Sequence, residues 1–200
     1  MRVLVLGATG RTGGHVLREA KAAGHHVTAY GRRRAQGADE TVIGAFDAPA
    51  FAEAVRAADA VLSCLASSAR DGVCSRAAEA ALRADPRVRY LTVAGAGVDR
   101  PDDAKGVGDK AIGAIMRVVV GRMLADRQRE VDRLAASDAR WTALRPPRLT
   151  EGKATGRWVL THDRPAATWI DRADLAGAML ACLVDEATVG TAPFVAAATR

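Results

Sequence analysis

Apolar residues come in short runs, and the runs alternate with stretches of helical spacing. Val3-Leu4-Val5-Leu6 begins the series. Four apolar residues in a row fit a strand covered on both faces. A helix is expected over 11–23, with Val16, Leu17 and Ala20 on one face and Gly24 at its end. Residues 25–30 read as a second strand, 41–44 as a short third, 60–65 as a fourth and 88–93 as a fifth. Between them, Asp47 and Pro49 open a helix to residue 57, since Asp suits an N-cap and Pro an early helical position. The loop 66–72 leads into a helix that stops near residue 84, before Asp85-Pro86. The second half is less regular: a polar loop over 98–108, a long helix over 110–137 and a sixth strand over 141–144. An outer strand is expected over 157–161, and a helix capped by Asp171 runs to 183. Phe194-Val195 is expected to close the sheet.

Strands alternating with helices at this spacing imply βαβ units and a parallel sheet. Crossovers between parallel strands are right-handed, which puts helices on both faces. The expected fold is a doubly wound, three-layer α/β/α domain. Ligands of such sheets bind beyond the carboxyl ends of the strands. That rule gathers four loops into one crevice: 7–13, 31–34, 66–72 and 94–98.

The 200 residues suit a single domain over 1–200. The net charge is +6, but there are only four lysines: Lys21, Lys105, Lys110 and Lys153. The positive charge is scattered arginine without a basic stripe of interleaved aromatics, so nucleic acid is not the expected partner. No apolar run approaches the roughly 18 uncharged residues of a membrane span, so no membrane partner is expected. The chain starts directly on a strand, which points to a cytoplasmic protein. Cys64, Cys74 and Cys182 are odd in number and lack metal-ligand spacing, and read as reduced thiols.

Gly7, Gly10 and Gly13 follow the first strand as GxxGxxG. One glycine serves the turn, one the close approach of backbone to phosphate, one the packing of helix on strand. Thr9, Arg11 and Thr12 can add contacts to phosphate. The same spacing also serves a purely structural turn, but its place after the first strand of a βαβ series favours a dinucleotide. No Gly-Lys-Ser/Thr ending follows, which argues against ATP. At the end of the second strand an acid would bind the ribose of NAD. Here Tyr30 and Gly31 stand there instead, followed by Arg32, Arg33 and Arg34. An acid repels a 2′-phosphate, and a guanidinium fork grips one, so Arg32 first and Arg33 second point to NADP(H). Asp47 either accepts from the adenine amino group or caps its helix; both roles are compatible. Leu65, Ala66 and Ser67 fall where the fourth strand meets the cofactor.

The glycine motif, Arg32-Arg33, Asp47 and the segment Leu144-Arg145-Pro146-Pro147-Arg148-Leu149-Thr150-Glu151-Gly152 resemble the atypical short-chain dehydrogenase/reductases. The resemblance is to the NAD(P)H-binding group that contains flavin reductase/biliverdin-IXβ reductase, with NmrA-like regulators as a wider relation. Asp171-Arg172-Ala173-Asp174-Leu175-Ala176 is similar to that group's late helix start. The resemblance covers essentially the whole chain. It implies a Rossmann fold with a small C-terminal portion on the substrate side. It also implies that Pro146 lies near the nicotinamide and that Arg148 faces the substrate, although a residue after two prolines can equally be plain surface. Ala94 and Gly95 would frame the nicotinamide, and Ser67 or Ser68 could hydrogen-bond a substrate.

One departure matters. Short-chain dehydrogenases usually carry Tyr-x-x-x-Lys on the helix after the fifth strand, the tyrosine supplying a proton and the lysine lowering its pKa. Here Tyr30 and Tyr90 are the only tyrosines and both precede that helix. The expected activity is therefore NADPH-dependent reduction of a flavin-like or quinone-like acceptor, a conjugated small molecule that can take its proton from solvent. The catalytic residues are left unassigned, and a monomer or homodimer is expected. The rival expectation is a non-catalytic NADP(H)-binding regulator. Its motivation is the missing pair and the apolar stretch over 112–124. A nucleotide-sugar enzyme is disfavoured, because those normally keep the tyrosine and need a larger substrate domain.

Overall fold

The computed structural model describes residues 1–66, 72–101, 103–104 and 107–198, with the side chains of 107–120 outside the description. Six parallel strands form the central sheet: β1 (Arg2–Leu6), β2 (His26–Gly31), β3 (Glu40–Ile43), β4 (Ala60–Ser63), β5 (Arg89–Val93) and β6 (Arg140–Leu144). Their order is β3-β2-β1-β4-β5-β6. The helices are α1 (Arg11–Ala22), α2 (Pro49–Ala57), α3 (Val73–Ala84), α4 (Val107–Ala135) and α5 (Arg172–Val184). This is a Rossmann-like α/β fold.

Strand alternation sorts the core into two halves. Val3 and Val5 of β1 join Val16, Leu17, Met179 and Leu183 from α1 and α5 on one face. Leu4 and Leu6 join Phe51, Val55, Ala77, Ala81, Val131 and Leu134 from α2, α3 and α4 on the other. All four β1 side chains are essentially shielded from water. At about 1.5–3 kcal/mol for each fully buried aliphatic side chain, covering both faces strongly stabilises this strand. That is why β1 carries no polar residue after Arg2.

The chain runs outward through β1, β2 and β3, then crosses back to place β4 on the other side of β1. The switch point lies between β1 and β4, so the crevice sits beyond their carboxyl ends. A small C-terminal portion follows β6, and its Glu151 lies 3.8 Å from Arg11 at the start of α1. In it β7 (Arg148–Thr150) pairs in parallel with β9 (Trp169–Asp171), and β8 (Trp158–Thr161) pairs antiparallel with β10 (Phe194–Ala197).

Several expectations need correction. β7 and β9 are too short, and too interrupted by polar residues, to show as runs. β10 does not close the sheet as a full strand; it pairs with β8, and single bridges join Thr191, just before it, to Thr142 of β6 and Phe194 to Arg145, just after β6. Ala48, not Asp47, occupies the N-cap of α2. Asp171 does occupy the N-cap of α5, but its side chain makes no cap bond and accepts from the Thr150 hydroxyl at 2.7 Å. All three cysteines are free and buried, and burial pushes the Cys64 thiol up to about 12 and Cys182 up to about 11.

Candidate functional site

The crevice begins at the turn between β1 and α1. Gly7 has φ +76°, and a Cβ there would stand 2.8 Å from the Cys64 carbonyl oxygen of the neighbouring β4 end. The Gly10 amide donates to the Gly7 carbonyl at 2.9 Å, which closes the turn. A Cβ on Gly13 would fall 2.1 Å from that same carbonyl oxygen. Glycine at these places lets helix, turn and strand touch through main chain alone. Gly10 is the N-cap of α1, and no side chain caps it. The first amides of a helix have no partner within it and carry the positive end of its dipole. They make an anion cradle, and that cradle fits a pyrophosphate. Thr9 and Arg11 are exposed beside it, and Thr12 is half-buried.

Beyond β2, Arg32 and Arg33 are exposed to solvent. Tyr30 turns inward instead. Its hydroxyl donates to the Ala45 carbonyl at 2.8 Å, and its ring packs on Phe46 and Phe51. Burial, with the nearby Asp47 charge second, raises the Tyr30 pKa. Asp47 is itself exposed, one residue before the N-cap of α2. It is therefore open to a ligand on the same side of the switch point as Arg32.

On the other side lie the ends of β4, β5 and β6. Past the paired strands, the Ala94 amide donates to the Leu144 carbonyl and the Ala96 amide to the Pro146 carbonyl, both at 2.8 Å. These bonds hold Ala94, Gly95 and Pro146 together. Leu65 and Ala66 end the described part of the β4 segment, and Ser67 and Ser68 lie outside the described residues. Arg148 is exposed on β7, in register with Trp169 on β9, which is 40% exposed. Neighbouring Arg145 has a different place. It is buried, its guanidinium pairs with Asp103 at 2.7 Å and lies over the Phe194 ring at 3.8 Å. Of the two, only Arg148 is exposed.

A buried polar cluster escaped the reading of the sequence. Glu130 on α4 is fully buried, receives the Thr92 hydroxyl at 2.9 Å and pairs with Arg127 at 2.8 Å. The Arg127 guanidinium also donates to the Leu65 carbonyl. Burial opposes the Arg127 charge, but the charge and hydrogen bond of Glu130, with Cys74 and Tyr90 beside it, together raise the guanidinium's pKa. Next to it, Asp126 accepts from the Cys74 and Ser75 amides at 3.1 and 3.2 Å, so it caps α3 from a different helix. Tyr90 faces Glu130 and is buried, which raises its pKa well above the ordinary phenol range. A second missed contact crosses the mouth of the crevice: Glu151 pairs with Arg172 at 2.6 Å and more loosely with Arg11 at 3.8 Å. Most of these links join different elements, so spacing along the chain could not have found them. The one available signal was the i,i+3 spacing of Arg127 and Glu130 on α4.

Among the described residues there is no cluster of three or more metal-ligating side chains. Nor, among them, is any helix long and apolar enough to cross a membrane. A family model for NAD(P)H-binding proteins matches residues 7–186. The chain belongs to this NAD(P)H-binding family. Its cofactor is a nicotinamide dinucleotide, in keeping with the bare helix end at Gly10. No curated protein matches the sequence. Solved structures do match its fold. ChuY of Escherichia coli O157:H7, an anaerobillin reductase, has 20% identity over 100% of this chain and 98% of its own, with a TM-score of 0.81. A Streptococcus pneumoniae protein assigned as an NADH-flavin reductase has 20% identity over 99% of this chain and 100% of its own, with a TM-score of 0.79. The oxidoreductase ylbE of Lactococcus lactis has 16% identity over 100% of this chain and 92% of its own, with a TM-score of 0.78. At these identities the likeness is one of fold.

Proposed function

We propose that this NAD(P)H-binding protein is an NADPH-dependent reductase of a flavin-like, quinone-like or other conjugated acceptor. In this reading the amides at Gly10 to Gly13 hold the pyrophosphate, with Gly7 shaping the turn and Thr9, Arg11 and Thr12 adding contacts. Arg32, helped by Arg33, grips the 2′-phosphate, and Asp47 accepts from the adenine amino group. Leu65 and Ala66 lie along the ribose on the β4 side, with Ser67 beyond them. Ala94, Gly95 and Pro146 frame the nicotinamide. Ser68 and Arg148 face the acceptor. When bound, the cofactor supplies a hydride.

The observation that carries the reductase reading is the fate of the two tyrosines. Tyr30 is committed to the Ala45 carbonyl and Tyr90 to the Glu130 cluster. Neither stands on α4, where a short-chain dehydrogenase would place its proton donor. A carbonyl or alcohol substrate would need that donor, whereas a conjugated acceptor can take its proton from water. The chain's residues then contribute position and electrostatics: the β5–β6 backbone stitches fix the frame, and Arg148 attracts an anionic acceptor.

The test is to follow nicotinamide absorbance with NADPH and FMN, dichlorophenolindophenol or biliverdin. Oxidation of NADPH by at least one acceptor is expected, slowed by Arg148→Ala. Tight NADPH binding without oxidation by any of them would contradict the reading, and is the behaviour expected of a non-catalytic regulator.

A further inference from the structure

Asp126 and Arg127 are consecutive residues of α4, yet they hold two different ends of one connection. Arg127 donates to the Leu65 carbonyl just after β4, and Asp126 accepts from the Cys74 and Ser75 amides at the start of α3. The Ser75 hydroxyl adds a third bond to Asp126 at 2.6 Å. The α3 N-cap, Gly72, offers no side chain of its own. One half-turn of α4 thus sets where the main chain leaves β4 and where it enters α3.

The Arg127 side chain is 11% exposed and that of Glu130 is fully buried. A guanidinium so placed is costly to desolvate and is kept only with its partners satisfied. It has three: Glu130 at 2.8 Å, the Thr92 hydroxyl at 3.4 Å and the Leu65 carbonyl. The first two come from α4 and β5 and lock the fork. The third donor is thereby aimed at a backbone oxygen at the carboxyl end of β4. A carbonyl held in this way fixes the orientation of the peptide plane between Leu65 and Ala66. The switch point divides a dinucleotide so that its adenine half lies over β2 and its nicotinamide half over β4 and β5.

We propose that Arg127 is a positioning residue for the nicotinamide half of the cofactor, acting through the Leu65–Ala66 backbone and steadied by Glu130 and Thr92. The inference rests on the cofactor placement given above. It makes a prediction that a general contribution to stability does not. Loss of Arg127 weakens ligands that carry the nicotinamide ribose and spares those that carry only the adenine half.

The experiment compares NADPH with 2′-phospho-ADP, which lacks both nicotinamide and its ribose, by calorimetric titration of the wild type and Arg127→Met. The variant is expected to lose about ten-fold in NADPH affinity, a single directed contact's worth. Its affinity for 2′-phospho-ADP should change by less than roughly two-fold. An equal loss for both ligands, or no loss for NADPH, would overturn the inference. If Arg127→Met does not fold, Arg127→Lys is read the same way. It keeps the charge against Glu130 and one donor for Leu65, so a smaller loss, again confined to NADPH, is expected. A wild type that bound neither ligand would instead overturn the cofactor placement, and the inference with it.

Discussion

The two sides of the crevice are made of different material. On the β1–α1 side the site is main chain: three glycines, a bare helix end and contacts too close for any Cβ. On the β5–β6 side it is organised by buried charge. Arg145 pairs with Asp103, 42 residues away; Arg127 reaches Leu65, 62 residues away; and Asp126 caps a helix 51 residues away. A main-chain site is specified by what is left out, and no other residue type can stand in for a glycine whose Cβ would meet backbone. A side-chain network is specified by what it reaches, and it gains meaning only once the fold brings its partners together. The first kind suits a ligand portion that never changes, such as a pyrophosphate. The second fixes a frame around which exposed residues such as Arg148 can differ.

Breaking each side should have a distinct signature. The largest expected effect is on the charged side. Arg145→Leu removes the guanidinium that pairs with Asp103, whose side chain is 6% exposed and which keeps its bond from the Arg100 amide. A loss of about 3–5 kcal/mol is expected in urea unfolding. A near-neutral result would mean that the remaining partners of Asp103, such as the Arg100 amide, hold its charge as well. Next comes the cofactor's 2′-phosphate. Arg32→Ala is expected to weaken NADPH by about 1.5–3 kcal/mol, the range of a charge-assisted hydrogen bond, with NADH unchanged. Equal losses for both cofactors would remove Arg32 from that role. The smallest expected change in folding stability belongs to the main-chain side. Gly13→Ala forces the helix away from the Gly7 carbonyl at a cost of about 1–3 kcal/mol. Its sharper consequence should be functional, because the shift misplaces the amides that face the pyrophosphate. Unchanged NADPH affinity in that variant would show that the cradle does not depend on the packing described.

The same contrast explains how much could be read in advance. The six parallel strands, the helices between them and the crevice all follow from short apolar runs and turn residues. Those signals are local. Gly7 and Gly13 were legible because a close approach excludes every other side chain, and Gly10 by its spacing between them. Arg145 was not, because nothing near it in sequence distinguishes a core arginine from its exposed neighbour Arg148. Its burial depends on Asp103 and Phe194, which arrive from two other segments. Asp47 and Asp171 show the limit of capping rules: both stand at helix starts, but neither side chain caps, and Asp171 is drawn to Thr150 across the β7–β9 pair. The β7–β9 ribbon itself was invisible, since three-residue strands leave no periodicity.

The central claim is that a main-chain cradle and an arginine at the end of β2 deliver NADPH to a conjugated acceptor without a tyrosine donor. Steady-state reduction of FMN, dichlorophenolindophenol and biliverdin, run in parallel with NADPH and NADH, tests it most directly. The account predicts turnover with at least one acceptor and a kcat/KM for NADPH exceeding that for NADH by about ten-fold or more, the worth of one well-placed guanidinium contact. Tight binding of NADPH with no oxidation by any acceptor would contradict it.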